Sequence, residues 1–358
     1  MLRIGARRAA VFAAKPLAKQ VAALFRNGEP GAWYDPSDMS TLWQDSAGTT
    51  PVTAVEQPVG RILDKSGRGN HATQATTTKR PVLSRRVNLL LATATLATQS
   101  ITTLAASHRL TFSGAGSIAL SGTASGVFGA GTHTIACTAG TLTITVAGAV
   151  NDADFRRATD AHLPYQRVNT ATDYDADPAK FPAYLRFDGV DDALQTGNIN
   201  FTGTDKMTVW AGVLRASSGL AQEICGLTAA PSDAGAFTLW ASTGSGAGVS
   251  NMSAAFSSAI SGSLKVALQT LAHNTQAILN GYQNITGVNS RLNSGAINTV
   301  AAIPVANFAN APIYIGARAG TAFFFNGRLY SLIVRGAQSS LSQIEATEAY
   351  IKQKMRLS

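Results

Sequence analysis

Alternating apolar and polar residues form the clearest pattern in the chain, within residues 87–157. Short runs place an apolar residue at every second position: Leu110 and Phe112, Ile118 and Leu120, Ile135 and Cys137, then Leu142, Ile144 and Val146. Glycines fall between these runs, where the chain must reverse. A period of two with one apolar face is typical of half-buried antiparallel strands. The segment therefore predicts a small β-sandwich.

The two stretches that flank this segment differ in pattern. Residues 160–335 carry further strand-like apolar runs, at 184–187, 207–214, 237–240, 277–279, 313–315 and 329–334. Gly, Asn and Ser separate these runs, as in antiparallel sheets. Residues 28–83 have little periodicity and are punctuated by prolines, so we expect them to wrap around another part of the chain.

A helical pattern follows the N-terminus. Leu17, Val21, Leu24 and Phe25 recur at spacings of three and four and so share one helical face, while Pro16 fits the first turn. This helix could pack on its own domain or anchor the protein to a neighbouring subunit, and both alternatives stay open.

The C-terminus carries the strongest helix signal. Ser342 and Glu345 have the spacing of a capping box. An apolar stripe of Ile344, Ile351 and Met355 follows, and basic residues near the end suit the negative pole of a helix dipole. We expect this helix to pack on the sandwich.

Composition narrows the class of protein. The chain has 358 residues, of which 45% are hydrophobic and 14% charged, so it can bury a sizeable core and is not disordered as a whole. The two cysteines, Cys137 and Cys225, have no metal-ligand spacing around them and are expected to be buried free thiols, compatible with assembly in a reducing cytoplasm. No apolar run approaches the roughly 20 residues that cross a bilayer.

The net charge of +9 is concentrated near the N-terminus. Six basic residues precede the first acidic one, Glu29: Arg3, Arg7, Arg8, Lys15, Lys19 and Arg26. This is a basic arm rather than a groove across a folded face, so nucleic-acid binding is not favoured, although a phosphate-binding arm is an alternative. We interpret these six residues as an anchor to neighbouring proteins of an assembly.

Three separated parts of the chain carry motifs of one protein group. They hold WYDPSD at 33–38, QDSAGT at 44–49 and LDKSGRGNHA at 63–72; LRFDGVDD at 185–192; and IGAR at 315–318 with FNGRLY at 325–330. Together with the closing helix, they resemble tailed-bacteriophage virion structural proteins with a concanavalin A-like lectin/glucanase (laminin-G-like) domain. The resemblance implies an all-β fold: one discontinuous antiparallel sandwich from residues 28–85 and 160–358, an inserted small sandwich at 87–157, a basic arm at 1–27 and a C-terminal helix.

Concanavalin A-like folds also include glycosidases, so the resemblance leaves enzymatic activity open. Related glucanases use a Glu-x-Asp-x-Glu strand, whose alternation places the carboxyl groups on one face. The chain has five glutamates, Glu29, Glu56, Glu223, Glu345 and Glu348, and none lies in that pattern. We therefore expect no enzyme and no catalytic residues.

Binding chemistry is more open. Asp188, Asp191 and Asp192 form the densest acidic cluster, which suits either a tight turn or a Ca²⁺ site such as some laminin-G-like domains have, with no other cofactor expected. For carbohydrate we expect Trp240, beside a Gly/Ser loop, to be the exposed indole. Asn280 and Tyr282 resemble a family hairpin and could contact the same ligand.

The predicted function is that of a non-enzymatic structural component of a tailed-phage particle. It would be displayed on the virion surface, after assembly in the host cytoplasm, and act in host adhesion as part of a tail fibre, spike or tip. A capsid decoration or head-fibre protein and a carbohydrate-binding lectin module are the alternatives. The expected partners are other virion proteins, a host surface glycan and further copies of the chain, since fibres and spikes are usually symmetric.

Overall fold

The computed structural model describes residues 16–216, 221–243, 253–260, 263–271, 274–284, 287–301 and 306–357. Within these ranges the chain forms helices α1 (Leu17–Ala23) and α2 (Leu341–Met355) and twenty-four strands. The first five strands are β1 (Gly31–Tyr34), β2 (Leu42–Trp43), β3 (Arg61–Ile62), β4 (Ala72–Thr73) and β5 (Val82–Ser84). The next seven are β6 (Gln99–Thr103), β7 (Ala106–Ser113), β8 (Ser117–Gly122), β9 (Gly126–Phe128), β10 (Gly131–Cys137), β11 (Gly140–Ala147) and β12 (Asn151–Arg157). The others are β13 (Tyr184–Asp188), β14 (Leu194–Asn200), β15 (Met207–Arg215), β16 (Gln222–Leu227), β17 (Ala236–Ser242), β18 (Ser253–Ile260), β19 (Ser263–Thr270), β20 (Gln276–Asn284), β21 (Gly287–Leu292), β22 (Ile297–Ala301), β23 (Asn310–Ile315) and β24 (Asn326–Arg335).

Two large antiparallel sheets form what we call the large sandwich. The helix-covered sheet has the order β22-β21-β20-β15-β24-β13-β5, with β1 also paired to β24. The opposite sheet has the order β19-β18-β17-β16-β23-β14-β4-β3-β2. Their inner faces share one core, to which Val209 and Leu332 contribute from the first sheet and Leu239 and Ile313 from the second. The predicted all-β sandwich is confirmed.

Seven strands between β5 and β13 form a separate small sandwich. Its sheets have the orders β10-β7-β12 and β6-β11-β8-β9. The alternating residues seen in the sequence fill a core of their own, with Leu110, Ile118, Leu142 and Ile144 almost inaccessible. The chain leaves and re-enters the large sandwich at adjacent points, because Ser84 of β5 pairs with Tyr184 of β13.

Polar side chains close the junction between the two sandwiches. The amide oxygen of Gln166 accepts hydrogen bonds from the backbone N–H groups of Val87 and Asn88, at 2.7 and 3.0 Å. The Asn88 amide in turn donates to the carbonyls of Ala153 and Gln166. These buried bonds fix the two connecting segments against each other.

Helix α1 packs on the protein's own large sandwich. Its apolar residues Val21, Leu24 and Phe25 are buried with residues of α2 and the outer face of β15 and β24. Burial of each such side chain contributes about 1.5–3 kcal/mol. Pro16 precedes the helix as its N-cap. Of the two alternatives for this helix, packing on its own domain is the one observed for residues 17–25.

Helix α2 covers the same outer face, as predicted. Ile344, Ile351 and Met355 are buried there, and the helix starts two positions earlier than expected. The capping box is formed by Ser340 and Gln343, whose side chains each accept the other's backbone N–H, so the prediction of Ser342 and Glu345 is wrong. Both pairs have the required spacing, and only Ser340 has the extended backbone of a cap.

Two aspartates from the motifs hold the fold together. The Asp35 carboxylate accepts from the Tyr350 hydroxyl at 2.8 Å and pairs with Lys354 at 2.9 Å, so the first strand is tied to α2. The Asp64 carboxylate accepts backbone N–H groups of Trp33, Ser66 and Asn70 and thereby orders its loop. These motif residues therefore stabilise the folded structure.

Both cysteines are buried free thiols, as predicted: Cys137 lies in the small sandwich and Cys225 in the large one. In the described ranges, neither helix has the length and apolar character of a membrane span.

Candidate ligand-binding cleft

A cleft of about 530 Å³ separates the small sandwich from the large one. One wall is formed by residues 86–104, which include β6, and the other by β13 and the start of β24. Recognition sites in proteins commonly have volumes of roughly 300–1,000 Å³ and lie where structural units meet. We refer to this space as the junction cleft.

The walls of the junction cleft combine apolar and polar groups. Leu89, Leu91 and Ile101 line it from the small-sandwich side, and Leu91 is 39% exposed. Ser100 and Thr102 of β6 also line it and are exposed. Such a surface offers both van der Waals contact and hydrogen bonds to a ligand.

Two arginines, Arg328 and Arg157, line the junction cleft near Asp160. Arg328 is buried and forms an ion pair with Asp160 at 3.1 Å, and its guanidinium lies 4.6 Å from the centre of the Tyr184 ring. Arg157 lines the same space. Burial, reinforced by the neighbouring Arg328 cation, lowers the pKa of Arg157 to about 10, so Arg157 stays charged at neutral pH.

Two further arginines complete the cationic side. The Arg86 guanidinium donates to the carbonyl oxygens of Asn88 and Leu89 at 2.9 and 3.0 Å. Arg186 is about half-exposed and pairs with Glu56 at 2.9 Å. The junction cleft is therefore lined by four guanidinium groups: Arg86, Arg157, Arg186 and Arg328.

The predicted acidic cluster lies at the edge of the junction cleft. Ligand oxygens of Asp188, Asp191 and Asp192 lie within 4.8 Å of one another, and Asp188 lines the cleft. Burial and the adjacent Asp188 charge raise the pKa of Asp192 to about 6. Asp188 accepts from the backbone N–H of Val190, and Asp192 from that of Asp188, so the turn interpretation is confirmed.

The Ca²⁺ interpretation of the same cluster stays a prediction. Ca²⁺ takes six to eight oxygen ligands, and carboxylates suit it. The three aspartates carry six carboxylate oxygens, and two of these already accept backbone hydrogen bonds.

A buried carboxyl group lies elsewhere, on β16. Glu223 is 1% exposed, stands opposite Trp240 of β17, and its Oε2 has no hydrogen-bond partner among the described residues. Burial raises its pKa to about 8, although the charge of Arg318 acts in the opposite direction. In the sequence Glu223 is only one of five glutamates, because nothing in its local sequence signals burial.

The predicted carbohydrate residues are not brought together as an exposed platform. Trp240 is only 8% exposed, since Phe323 packs edge-on against it with ring centres 5.8 Å apart, and its predicted exposure is wrong. Asn280 is buried in β20, where its amide donates to the carbonyl of Val209 at 3.0 Å. Tyr282, on the same strand, packs partly buried near the helices. Asn280 and Tyr282 thus lie within a strand and not in a hairpin turn, and in the sheet opposite to that of Trp240.

The predicted anchor is only partly covered by the structure. Arg3, Arg7, Arg8 and Lys15 lie outside the described residues. Lys19 and Arg26 are exposed, on and just after the helix that packs on the large sandwich. Their side chains are accessible to a partner.

Comparisons with known proteins give only distant likenesses. No protein-family model matches the chain, and no curated protein matches it. Among solved structures, the botulinum neurotoxin DC binding domain in complex with SialylT is similar at 10% identity and a TM-score of 0.36, over 48% of this chain and 43% of that one. The Ruminococcus gnavus IT-sialidase CBM40 bound to α2,3-sialyllactose gives 13% and 0.32, over 40% of this chain and 83% of that one. The enzymatically active domain of bacteriophage CBA120 tailspike protein 2 gives 13% and 0.37, over 47% and 27%. These values assign neither a family nor a function to the chain.

Proposed function

We propose that this protein is a non-enzymatic, surface-displayed component of a tailed-phage particle that binds a host glycan through the junction cleft. The phage context is supported by the sequence motifs and their resemblance. The binding role is supported by one observation, the junction cleft itself.

The chemistry of the junction cleft suits a sugar. A pyranose presents an apolar C–H face and a rim of hydroxyl groups, and the cleft offers Leu91 and Ile101 for the first and Ser100, Thr102 and arginines for the second. A volume of about 530 Å³ accommodates a short oligosaccharide segment.

The junction is also held rigid. Asp160, just after β12, forms an ion pair with Arg328. Its Oδ1 also accepts a hydrogen bond from the Gln276 side-chain amide at 2.9 Å. All three side chains are buried. A preorganised site binds more tightly because less conformational freedom is lost on binding.

A glycan array probed with the purified protein tests the binding role. Thr102→Trp should block the junction cleft and abolish binding, whereas Thr134→Trp is the matched control on an exposed position of β10 outside the cleft. Binding that survives Thr102→Trp would contradict the cleft as the site, and an array without any ligand would contradict glycan binding.

Immunogold electron microscopy of particles tests the virion role. Label at the tail tip or baseplate is expected for an adhesion protein. Label over the head would instead identify a decoration or head-fibre protein, and unlabelled particles would refute the virion assignment.

A further inference from the structure

We infer that the junction cleft selects sugars that carry a carboxylate, which Arg157 binds; this inference rests on the proposed glycan binding. Two observations support it: positive charge is in excess among the residues that line the cleft, and one of the lining arginines has no hydrogen-bond partner among the residues that the structure describes.

Three of the four arginines already have protein partners. Arg328 pairs with Asp160, Arg186 pairs with Glu56, and Arg86 donates to backbone carbonyl oxygens. By contrast, the Arg157 guanidinium forms no hydrogen bond or ion pair within the described part of the chain. An unpaired cation in a partly desolvated place is costly, and an anionic ligand would remove that cost.

Strand alternation aims Arg157 at the cleft. Its neighbour Arg156 is completely buried, where it pairs with Asp154 and donates to carbonyl oxygens of residues 160–164. Because successive side chains of a strand point to opposite faces, Arg157 faces the other way, into the junction cleft.

The charge of the lining favours a negative charge on the ligand. Four guanidinium groups line the cleft, and Asp188 is the one carboxylate among its lining residues. Arg328 and Arg186 are paired with Asp160 and Glu56, which lie outside that lining. A planar carboxylate matches the two-pronged guanidinium of Arg157. The Asp188 carboxylate, at the edge of the cleft, can accept a sugar hydroxyl and disfavours the second charge of a phosphate group.

Ligand-observed NMR titration tests the inference with small probes: the methyl glycosides of glucuronic acid and N-acetylneuraminic acid, glucuronamide, glucose, and glucose 6-phosphate. At least one carboxylate sugar should bind tenfold or more tighter than glucuronamide and glucose. This ratio is about what one charged hydrogen bond contributes to affinity. Arg157→Gln should reduce that affinity about 10- to 100-fold and leave neutral probes unchanged. Arg157→Lys keeps the positive charge but not the two-pronged guanidinium. It should therefore reduce the affinity for the carboxylate sugar less than Arg157→Gln does.

Arg167→Gln is the matched control, since Arg167 is about half-exposed and pairs with Asp173 outside the junction cleft. Neutral and acidic sugars that bind equally, with no effect of Arg157→Gln, would overturn the carboxylate selection while leaving glycan binding intact. Tighter binding of glucose 6-phosphate would overturn the choice of a carboxylate. If no probe binds and the glycan array is also blank, the proposed function fails together with this inference.

Discussion

Replacement of the buried carboxyl group by an amide, Glu223→Gln, should change how stability depends on pH. Glu223 has its pKa raised to about 8 by burial, from an ordinary value of 4.5. The folded protein therefore holds a proton that the unfolded chain releases between these pH values. With respect to Glu223, the free energy of unfolding is therefore highest below about pH 4.5. It decreases as the pH rises from there through about 8.

The magnitude follows from proton linkage. Each pH unit inside this window lowers the free energy of unfolding by about 1.4 kcal/mol, so the loss from pH 5 to pH 8 is at most about 4 kcal/mol. Glutamine cannot ionise and shows no such slope. Its buried NH₂ group costs about 1–3 kcal/mol at every pH, so the informative quantity is the change with pH of the difference between variant and wild type.

Urea unfolding followed by tryptophan fluorescence at pH 5 and pH 9 gives this difference. All four tryptophans lie in the large sandwich, and Trp240 stands directly opposite Glu223. We expect Glu223→Gln to gain several kcal/mol relative to wild type between the two pH values. Other titrating groups, such as Asp192, cancel in the comparison.

Glu345→Gln is the matched control, because the Glu345 side chain on α2 is 55% exposed. It should show little change with pH relative to wild type. If Glu223→Gln behaves like Glu345→Gln, the Glu223 carboxyl is not held neutral by burial and the reasoning is refuted.

Two further predictions concern the junction. Asp160→Asn leaves Arg328 buried without its counter-ion and should destabilise the protein by about 3–5 kcal/mol in urea unfolding, whereas an unchanged midpoint would show that this pair does not hold the junction. The small sandwich should unfold cooperatively when expressed alone, and residues 86–169, which include Gln166, should be more stable by circular dichroism melting than residues 87–157; equal melting temperatures would contradict the role of the Gln166 hydrogen bonds.

Local pattern predicted local structure well. The period of two over residues 87–157 corresponds to strands whose alternate residues fill one core, because such a pattern is stable only with one face buried. The cap of α2 was displaced by two positions since Ser340 with Gln343 and Ser342 with Glu345 both satisfy the same spacing. Backbone conformation, which the sequence does not show, decides between them.

Exposure was harder to predict than strand position. Trp240 lies in the strand expected for it, yet Phe323 from a distant loop covers its ring. Likewise, Arg157 of β12 and Arg328 of β24 are far apart in the sequence and line the same cleft in the folded chain. Such contacts depend on tertiary packing, and no local motif encodes them.

The motif residues divide between the scaffold and one wall of the junction cleft. Asp35 and Asp64 of the first motifs make backbone and helix contacts, whereas Arg186, Asp188 and Arg328 of the later motifs line the cleft. Leu91, Thr102 and Arg157 lie in or beside the inserted unit and outside those motifs. Because one wall of the junction cleft belongs to the insertion and the other to the large sandwich, exchange of the insertion alone would change one wall of the proposed binding site. Specificity in this protein would then depend on which unit is inserted between β5 and β13.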